Sequence, residues 1–257
     1  MTRRLVATLA CRINGSRLYG KPLQLLDIER GVSVLDHMLT LLGAQPAIAE
    51  IVLGVSAGTA NEIFHELAET RGLKSIRGDE RDVLSRLIAS AEAGGGTDAF
   101  RVTTESPFTY VEALADAWER HVAHGNDVTV TDGLPDGCNF EIFTLESLQR
   151  SHAKGDQRHR SELCSLYIRE HREEFQVEIV PVPGALTRSD LRLTIDYPED
   201  LMLCRRVYAE LRHAAPHLKL ADIVSFLDRS PETQRLVEPY VSTSWLYSTP
   251  ASSEGVR

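Results

Sequence analysis

The sequence predicts an α/β protein built on a mostly parallel sheet with helices on both faces. Apolar runs of strand length alternate with amphipathic segments of helix length through the first half of the chain. Several of the helical segments carry their own start or stop, a capping hydroxyl, a Pro–acid pair or a glycine run. The 257 residues, 42% hydrophobic and 25% charged, suffice for a sizeable buried core in one large domain or two small ones.

Taken in order, residues 5–10 read as a buried strand and 34–42 as a helix capped by Ser33. Residues 51–55 form a second apolar run, after which Thr59 and Glu62 carry the Thr-x-x-Glu capping pattern of a helix start. A weaker strand at 73–76 precedes a helix over 81–93, which the glycines at 94–96 stop. Residues 99–103 read as strand, 110–124 as helix and 127–131 as strand again. The second half is less regular: strands at 138–143, 177–182 and 191–195 are expected among helices at 145–153, 162–172, 198–211 and 220–228. The helix at 198 opens on Pro198, Glu199 and Asp200, a good N-terminal arrangement. Residues 1–241 are expected to form one domain with an irregular part at about 134–190, followed by a loosely held tail at 242–257.

A net charge of -9 argues against duplex nucleic acid and anionic membranes as partners, while a few bases converging in one cleft still suit a small anion. Four widely spaced cysteines contain no CxxC pair, which argues against a disulfide framework and the common zinc spacings. The opening MTRRLVATLACRING has an apolar run of only about six residues, too short for a membrane span or a good export signal. A cytoplasmic protein is the expectation.

Residues 11–21, CRINGSRLYGK, are the most informative stretch. They follow the first strand directly, where open sheets bind ligands, and carry Arg12, Gly15, Ser16, Arg17, Gly20 and Lys21. Glycines let backbone N–H groups approach an anion, and the three cations can neutralise a polyphosphate. The stretch is neither a Walker A loop nor GxGxxG. A solvated basic turn is the alternative.

This loop resembles ARxGSxRLPGK, the phosphate loop of the cytidylyltransferases that make CMP-activated sugars, the spore-coat polysaccharide type most closely. Cys11, Asn14, Gly15 and Tyr19 depart from it. Residues 78–86 (GDERDVLSR) resemble the family's G-x-x-x-DVLxR block, and 101–108 (RVTTESPF) its R-x-T-x-D-x-P-L/F block. Residues 191–201 (LRLTIDYPEDL) resemble LRLTVDTPEDL almost throughout, and 135–143 (PDGCNFEIF) more weakly resemble PDGLDVEVF. The resemblance spans about residues 6–211.

The resemblance implies a three-layer, Rossmann-like fold of the nucleotide-diphospho-sugar transferase (GT-A-like) kind. It also implies transfer of CMP from CTP to an acidic sugar, a phosphonate or a phosphorylated small molecule, with release of pyrophosphate. Mg²⁺ is the implied cofactor, and the family's two metal positions fall on Asp196 and on Glu105, where an Asp is usual. The extra methylene moves that carboxylate by about 1.5 Å. Without the resemblance, Asp196 is a candidate cap for the helix at Pro198. Arg12, Lys21 and Asp196 are the expected catalytic residues, with Gly15, Ser16 and Arg17 helping to hold the triphosphate. Thr103 and Thr104 are candidates for the base or ribose. Gly78 is a candidate for close approach of the base, with a tight turn as the alternative, and Arg77 a candidate contact to base or phosphate.

The acceptor side departs most. Leu163 stands where the family often has the His of an Arg-Glu-His run, and Asn139 where an Asp is usual. Arg158, Arg160 and Arg192 are candidates for an acidic acceptor, with a plain solvated basic turn as the alternative for the first two. Asp82 and Arg86, four apart on a helix, read as a surface pair, as do His121 and His124. The cysteines read as core residues except Cys11, which is placed in the loop. Two other readings compete: a GT-A-type glycosyltransferase, disfavoured because Thr103-Thr104-Glu105 is no Asp-x-Asp pair, and a non-catalytic nucleotide-binding relative. A homodimer is expected from the resemblance.

Overall fold

Residues 2–241 are described by a computed structural model; the tail expected at 242–257 lies outside the described residues. In chain order, the first half comprises β1 (Leu5–Cys11), β2 (Leu25–Asp27), β3 (Val32–Ser33), α1 (Val34–Gly43), β4 (Ile48–Ser56) and α2 (Glu62–Thr70). It continues with β5 (Lys74–Gly78), α3 (Val83–Ala93), β6 (Asp98–Arg101), α4 (Leu114–Ala123) and β7 (Val128–Val130). The second half adds β8 (Glu141–Thr144), α5 (Leu145–Lys154), α6 (Leu166–Glu170), β9 (Val177–Ile179), α7 (Pro198–Leu211), α8 (Leu220–Asp228) and α9 (Pro231–Gln234).

Seven strands share one sheet in the order β5-β4-β1-β6-β8-β7-β9. β5, β4, β1 and β6 are parallel, β8 is antiparallel to both β6 and β7, and β9 runs with β7. Helices cover both faces. Alternation along a strand sends neighbouring side chains to opposite layers: Phe100 and Ile142 join the core under α1, α2, α4, α7 and α8, while Ala99 and Phe143 join the core under α3, α5 and α6. Among the described residues, no helix is long and apolar enough to cross a membrane.

Local chemistry explains most boundaries. The Ser33 side chain accepts from Asp36 N, and the Asp36 carboxylate accepts from Ser33 N, so α1 starts on a reciprocal box. The equivalent pattern at Thr59 does not form. A 3₁₀ turn, Thr59–Asn61, intervenes after Gly58, and α2 starts at Glu62 without a side-chain cap. Residues 138–140 lie outside the strand: Cys138 N bonds Pro135 O, Tyr110 N bonds Cys138 O, and the ladder starts only at Glu141. Of the helix expected over 162–172, only Leu166–Glu170 is α-helical. Residues 191–195 are buried but form no strand; a single bridge, Asp136 to Arg192, replaces the expected ladder.

The topology brings three connections to one end of the sheet. β1 and β6 pair in parallel, so the segments leaving Cys11 and Arg101 emerge side by side at the carboxyl end. The segment before α7 is tied to the second of these by Ile195 N donating to Glu105 O at 2.8 Å, and to the β7–β8 connection by Leu193 N donating to Asp136 O at 2.7 Å.

Candidate active site

The loop after β1 is a closed turn. Gly20 N donates to Ile13 O at 2.8 Å, and Asn61 Oδ1 accepts from Ile13 N at 2.8 Å. A Cβ on Gly15 would lie 2.3 Å from the Leu18 carbonyl oxygen, so the turn admits only glycine there. Lys21 opens the 3₁₀ turn Lys21–Leu23, which aims its ammonium across the cleft.

That ammonium bridges two carboxylates. Lys21 Nζ is 2.6 Å from Asp196 Oδ1 and 3.1 Å from Glu105 Oε2. Burial would lower the Lys21 ammonium, but Glu105 and Asp196 outweigh it and hold the pKa above its ordinary value. Burial pushes the Glu105 carboxyl up, with Lys21 opposing and the Asp196 charge adding to the rise. Burial also raises Asp196, yet the bonds and charges of Lys21 and Arg192 hold it below the ordinary carboxylate value. The two carboxyls of the pair are thus shifted in opposite directions, Glu105 up by burial and Asp196 down by its cationic partners.

Asp196 is held from behind. Arg192 Nη2 donates to Asp196 Oδ2 at 2.8 Å, its Nε to Asp200 Oδ1 at 2.9 Å and its Nη1 to Asp136 Oδ2 at 2.6 Å. The capping role falls to Asp200, not Asp196: Asp200 Oδ2 accepts from Asp196 N at 2.8 Å and Tyr197 N at 2.9 Å. Arg192 is thus a buried positioning residue, not an open contact for an acceptor.

Nine of the sequence-derived site residues line one cavity of about 190 Å³: Arg12, Gly15, Ser16, Arg17 and Lys21 of the loop, Thr103, Thr104 and Glu105 after β6, and Asp196. Thr104 Oγ1 donates to Ala10 O at 3.3 Å, and the Thr103 hydroxyl pairs with Ser106 Oγ at 2.6 Å. Arg77 and Gly78 lie outside that lining. Arg77 pairs with Glu62 at 2.5 Å, and Gly78 faces α3, where a Cβ would come within 2.6 Å of Arg86 Cγ. Arg86 takes the room instead. It is only 1% exposed, lines the cavity and donates to the carbonyls of Asp79 and Glu80. The expected surface pair does not form, because Asp82 caps α3 at Ser85 N and bonds His152.

A second cavity of about 260 Å³ adjoins the first and shares Arg101, Val102, Thr103, Glu105, Glu162 and Asp196 with it. Glu162 stands between them and accepts from Arg12 Nη2 at 2.9 Å. Leu163 and Asn139, the two departures from the family pattern, both line this second cavity. Arg158 and Arg160 do not. Arg158 pairs with Glu170 at 2.9 Å, and Arg160 donates to the His152 carbonyl at 3.0 Å.

Remaining expectations divide. Cys11 ends β1 and is buried like the other three cysteines, and burial pushes its thiol up to about 12, so it is core and not an exposed loop thiol. His121 is not on the surface: its ring nitrogens lie 3.1 Å from Asp98 Oδ1 and 2.8 Å from Thr129 Oγ1, fully buried, while His124 pairs with Glu178 outside. Arg86, Glu162 and Asp200 were missed as site residues; Arg86 and Asp200 lie inside the recognised blocks at 78–86 and 191–201, which is where a signal existed.

Known proteins share the sequence pattern and the fold of this chain. The chain is 27% identical over 228 residues to the spore coat polysaccharide biosynthesis protein SpsF of Bacillus subtilis, covering 87% of this chain and 94% of the relative. Its fold is similar to that of a cytidylyltransferase from Leptospira borgpetersenii (TM-score 0.79, 19% identity, 91% of this chain and 96% of that one). It is also similar to a CMP:2-keto-3-deoxy-manno-octonic acid synthetase solved with CTP (TM-score 0.62, 12% identity, 80% and 99%). The family model described as cytidylyltransferase matches residues 6–221. With the loop, the carboxylate pair and the sheet all inside that span, this chain belongs to the cytidylyltransferase family of nucleotidyltransferases.

Proposed function

We propose that the protein transfers CMP from CTP to a small acceptor that carries an anionic group, releasing pyrophosphate. The observation that carries this reading is the sharing of one carboxylate pair, Glu105 and Asp196, by two adjoining cavities. A two-substrate transfer needs its reacting atoms to meet at such a shared wall. The cavity with the basic loop suits CTP, the nucleotide bound in the octonic acid synthetase whose fold is similar. Arg12, Arg17 and Lys21, with the Gly15 N–H and the Ser16 hydroxyl, would hold the triphosphate, and Thr103 and Thr104 the nucleoside.

In the reaction an acceptor oxygen forms a bond to the α-phosphorus as the α–β bridging bond breaks. The electron pair leaves with pyrophosphate, and where the acceptor oxygen is a hydroxyl its proton passes to solvent water. Charge gathers on phosphate oxygens, so fixed cations and alignment supply most of the catalysis. Lys21 and the loop arginines provide the charge, while Arg192 and Asp200 fix Asp196.

The donor set fits a divalent cation. Two carboxylates already converge on one positive charge, the Lys21 ammonium. Mg²⁺ takes one or two carboxylates beside phosphate oxygens and waters, and the pair supplies two. Glu105 and Asp196 would hold it, and when bound it would neutralise triphosphate charge. Residues 1–241 acting as one catalytic unit, and a homodimer in the cytoplasm, belong to the same reading.

The test is a screen of the purified protein with the four nucleoside triphosphates, Mg²⁺ and a panel of sugar acids, phosphonates and sugar phosphates, followed by pyrophosphate release. Release with CTP that Asp196→Ala abolishes is the expected result. Failure to bind CTP in calorimetry with Mg²⁺ present would sink the proposal.

A further inference from the structure

The larger cavity contains an arginine with no partner among the described residues. Arg169, on α6, lines it, yet its Nε is buried without a hydrogen bond, and no ion pair to it forms among those residues. The other arginines around the two cavities are engaged. Arg101 donates to Glu141 and to the Glu162 carbonyl, Arg12 pairs with Glu162, and Arg17 lies 3.6 Å from Asp196 Oδ2. A buried Nε–H that has lost its water and gained no acceptor is a costly arrangement. Its planar fork matches two oxygens of a single oxyanion.

Asn139 is the second unsatisfied group. Its Oδ1 is buried in the same cavity without a donor. Five carboxylates contribute to the same wall, Glu105, Asp136, Glu141, Glu162 and Asp196, and the other arginine there, Arg101, is taken up by Glu141 and the Glu162 carbonyl. An anion entering that cavity is repelled by those carboxylates and finds an unneutralised cation at Arg169.

We propose that Arg169 seats the anionic group of the acceptor, with Asn139 Oδ1 accepting from a hydroxyl or amine of the same molecule. The bound group is a carboxylate or a tetrahedral phosphorus oxyanion, and the acceptor's nucleophilic oxygen then lies toward Glu105 and Asp196. Arg169 is thereby the residue that selects acidic acceptors over neutral ones. The inference rests on the transfer reading proposed for this site.

The test uses matched pairs of small probes on the full chain: sodium gluconate against glucitol, and glycerol 1-phosphate against glycerol. Binding is followed through the arginine Nε–H resonances, and CTP affinity is measured separately by calorimetry. The expected result is that at least one acid moves the Arg169 resonance and binds about tenfold or more tightly than its neutral partner, the scale of a charge-assisted contact. Which acid wins assigns carboxylate or phosphorus. Arg169→Gln is expected to erase the preference and Arg169→Lys to keep part of it, both with unchanged CTP affinity, which also reports that they fold. Equal binding of acid and neutral probes by the wild-type protein, or a preference that survives in Arg169→Gln, overturns the assignment. Wild-type protein that does not bind CTP overturns the transfer reading itself, a separate and distinguishable failure.

Discussion

The ammonium of Lys21 lies 2.6 Å from Asp196 Oδ1, joining side chains 175 positions apart, and it holds Glu105 at the same time. Replacing it by a neutral side chain leaves two carboxylates facing each other without the charge they share. Lys21→Met is therefore expected to lower the melting temperature, and millimolar Mg²⁺ to raise that variant's melting temperature more than the wild type's. The cation takes up the role of the ammonium, and ligand that binds only the folded state stabilises it. Differential scanning fluorimetry with and without Mg²⁺ measures both. A Mg²⁺ shift no larger in the variant than in the wild type contradicts the shared-charge account.

His37 makes a pH prediction with a definite sign. It is buried on α1, and its Nε2 donates to the Pro107 carbonyl at 3.0 Å, one residue past the Thr103–Ser106 turn. Burial lowers its pKa from 6.5 to about 4. Between those values the unfolded chain takes up a proton that the folded chain refuses, so stability is lost as pH falls through this window. The full effect is roughly 3 kcal/mol by the usual conversion. Urea denaturation at several pH values, for the wild type and His37→Gln, isolates the contribution as a difference from which carboxylate titrations cancel. Equal pH slopes in the two proteins would remove His37 as the cause.

Much of this site was legible because its chemistry is local. The basic loop, the Ser33 cap and the late Asp196 each sit in short stretches whose residue types state their purpose. The convergence of Arg12 and Asp196 was legible only through the ordered blocks, since no local pattern spans such a separation. Arg86 escaped for the opposite reason. Its spacing from Asp82 is what a solvated helix pair shows, and its burial is decided by the missing side chain of Gly78 on a neighbouring strand. Residues 191–195 alternate Leu, Arg, Leu, Thr and Ile as a strand would. Here the alternation comes from burying Arg192 among Asp136, Asp196 and Asp200, with no ladder to extend it.

Tyr197 occupies the place where the resembled motif has Thr, and it lies between two partners. The Tyr240 ring stacks on it at 4.0 Å and 12°, and the Arg17 guanidinium sits over its ring at 4.9 Å. The segment after α9 thus steadies a loop arginine. Tyr240→Ala is expected to raise KM for CTP about threefold to tenfold with little change in kcat, the range of one cation–π contact and its support. Tyr240→Phe keeps the stack and should keep KM. Steady-state kinetics of both variants, and of each combined with Arg17→Ala, give the coupling. If Tyr240→Ala still weakens CTP when Arg17 is already alanine, the stack does not act through Arg17.

Gly78 is the last and sharpest steric test. A Cβ there would lie 2.6 Å from Arg86 Cγ, near the root of a side chain that is held by the Asp79 and Glu80 carbonyls. Arg86 cannot swing aside without losing those bonds, and its displacement alters the wall of the cavity assigned to CTP. Gly78→Ala is expected to destabilise the fold by about 1–3 kcal/mol, as overpacking does, and to weaken CTP binding. In an Arg86→Ala background the clash has nothing to meet, so adding Gly78→Ala should cost far less. Urea denaturation supplies the stability cycle and calorimetry the affinity. A Gly78→Ala protein with wild-type stability and CTP affinity would show that the glycine serves some purpose other than making room for Arg86.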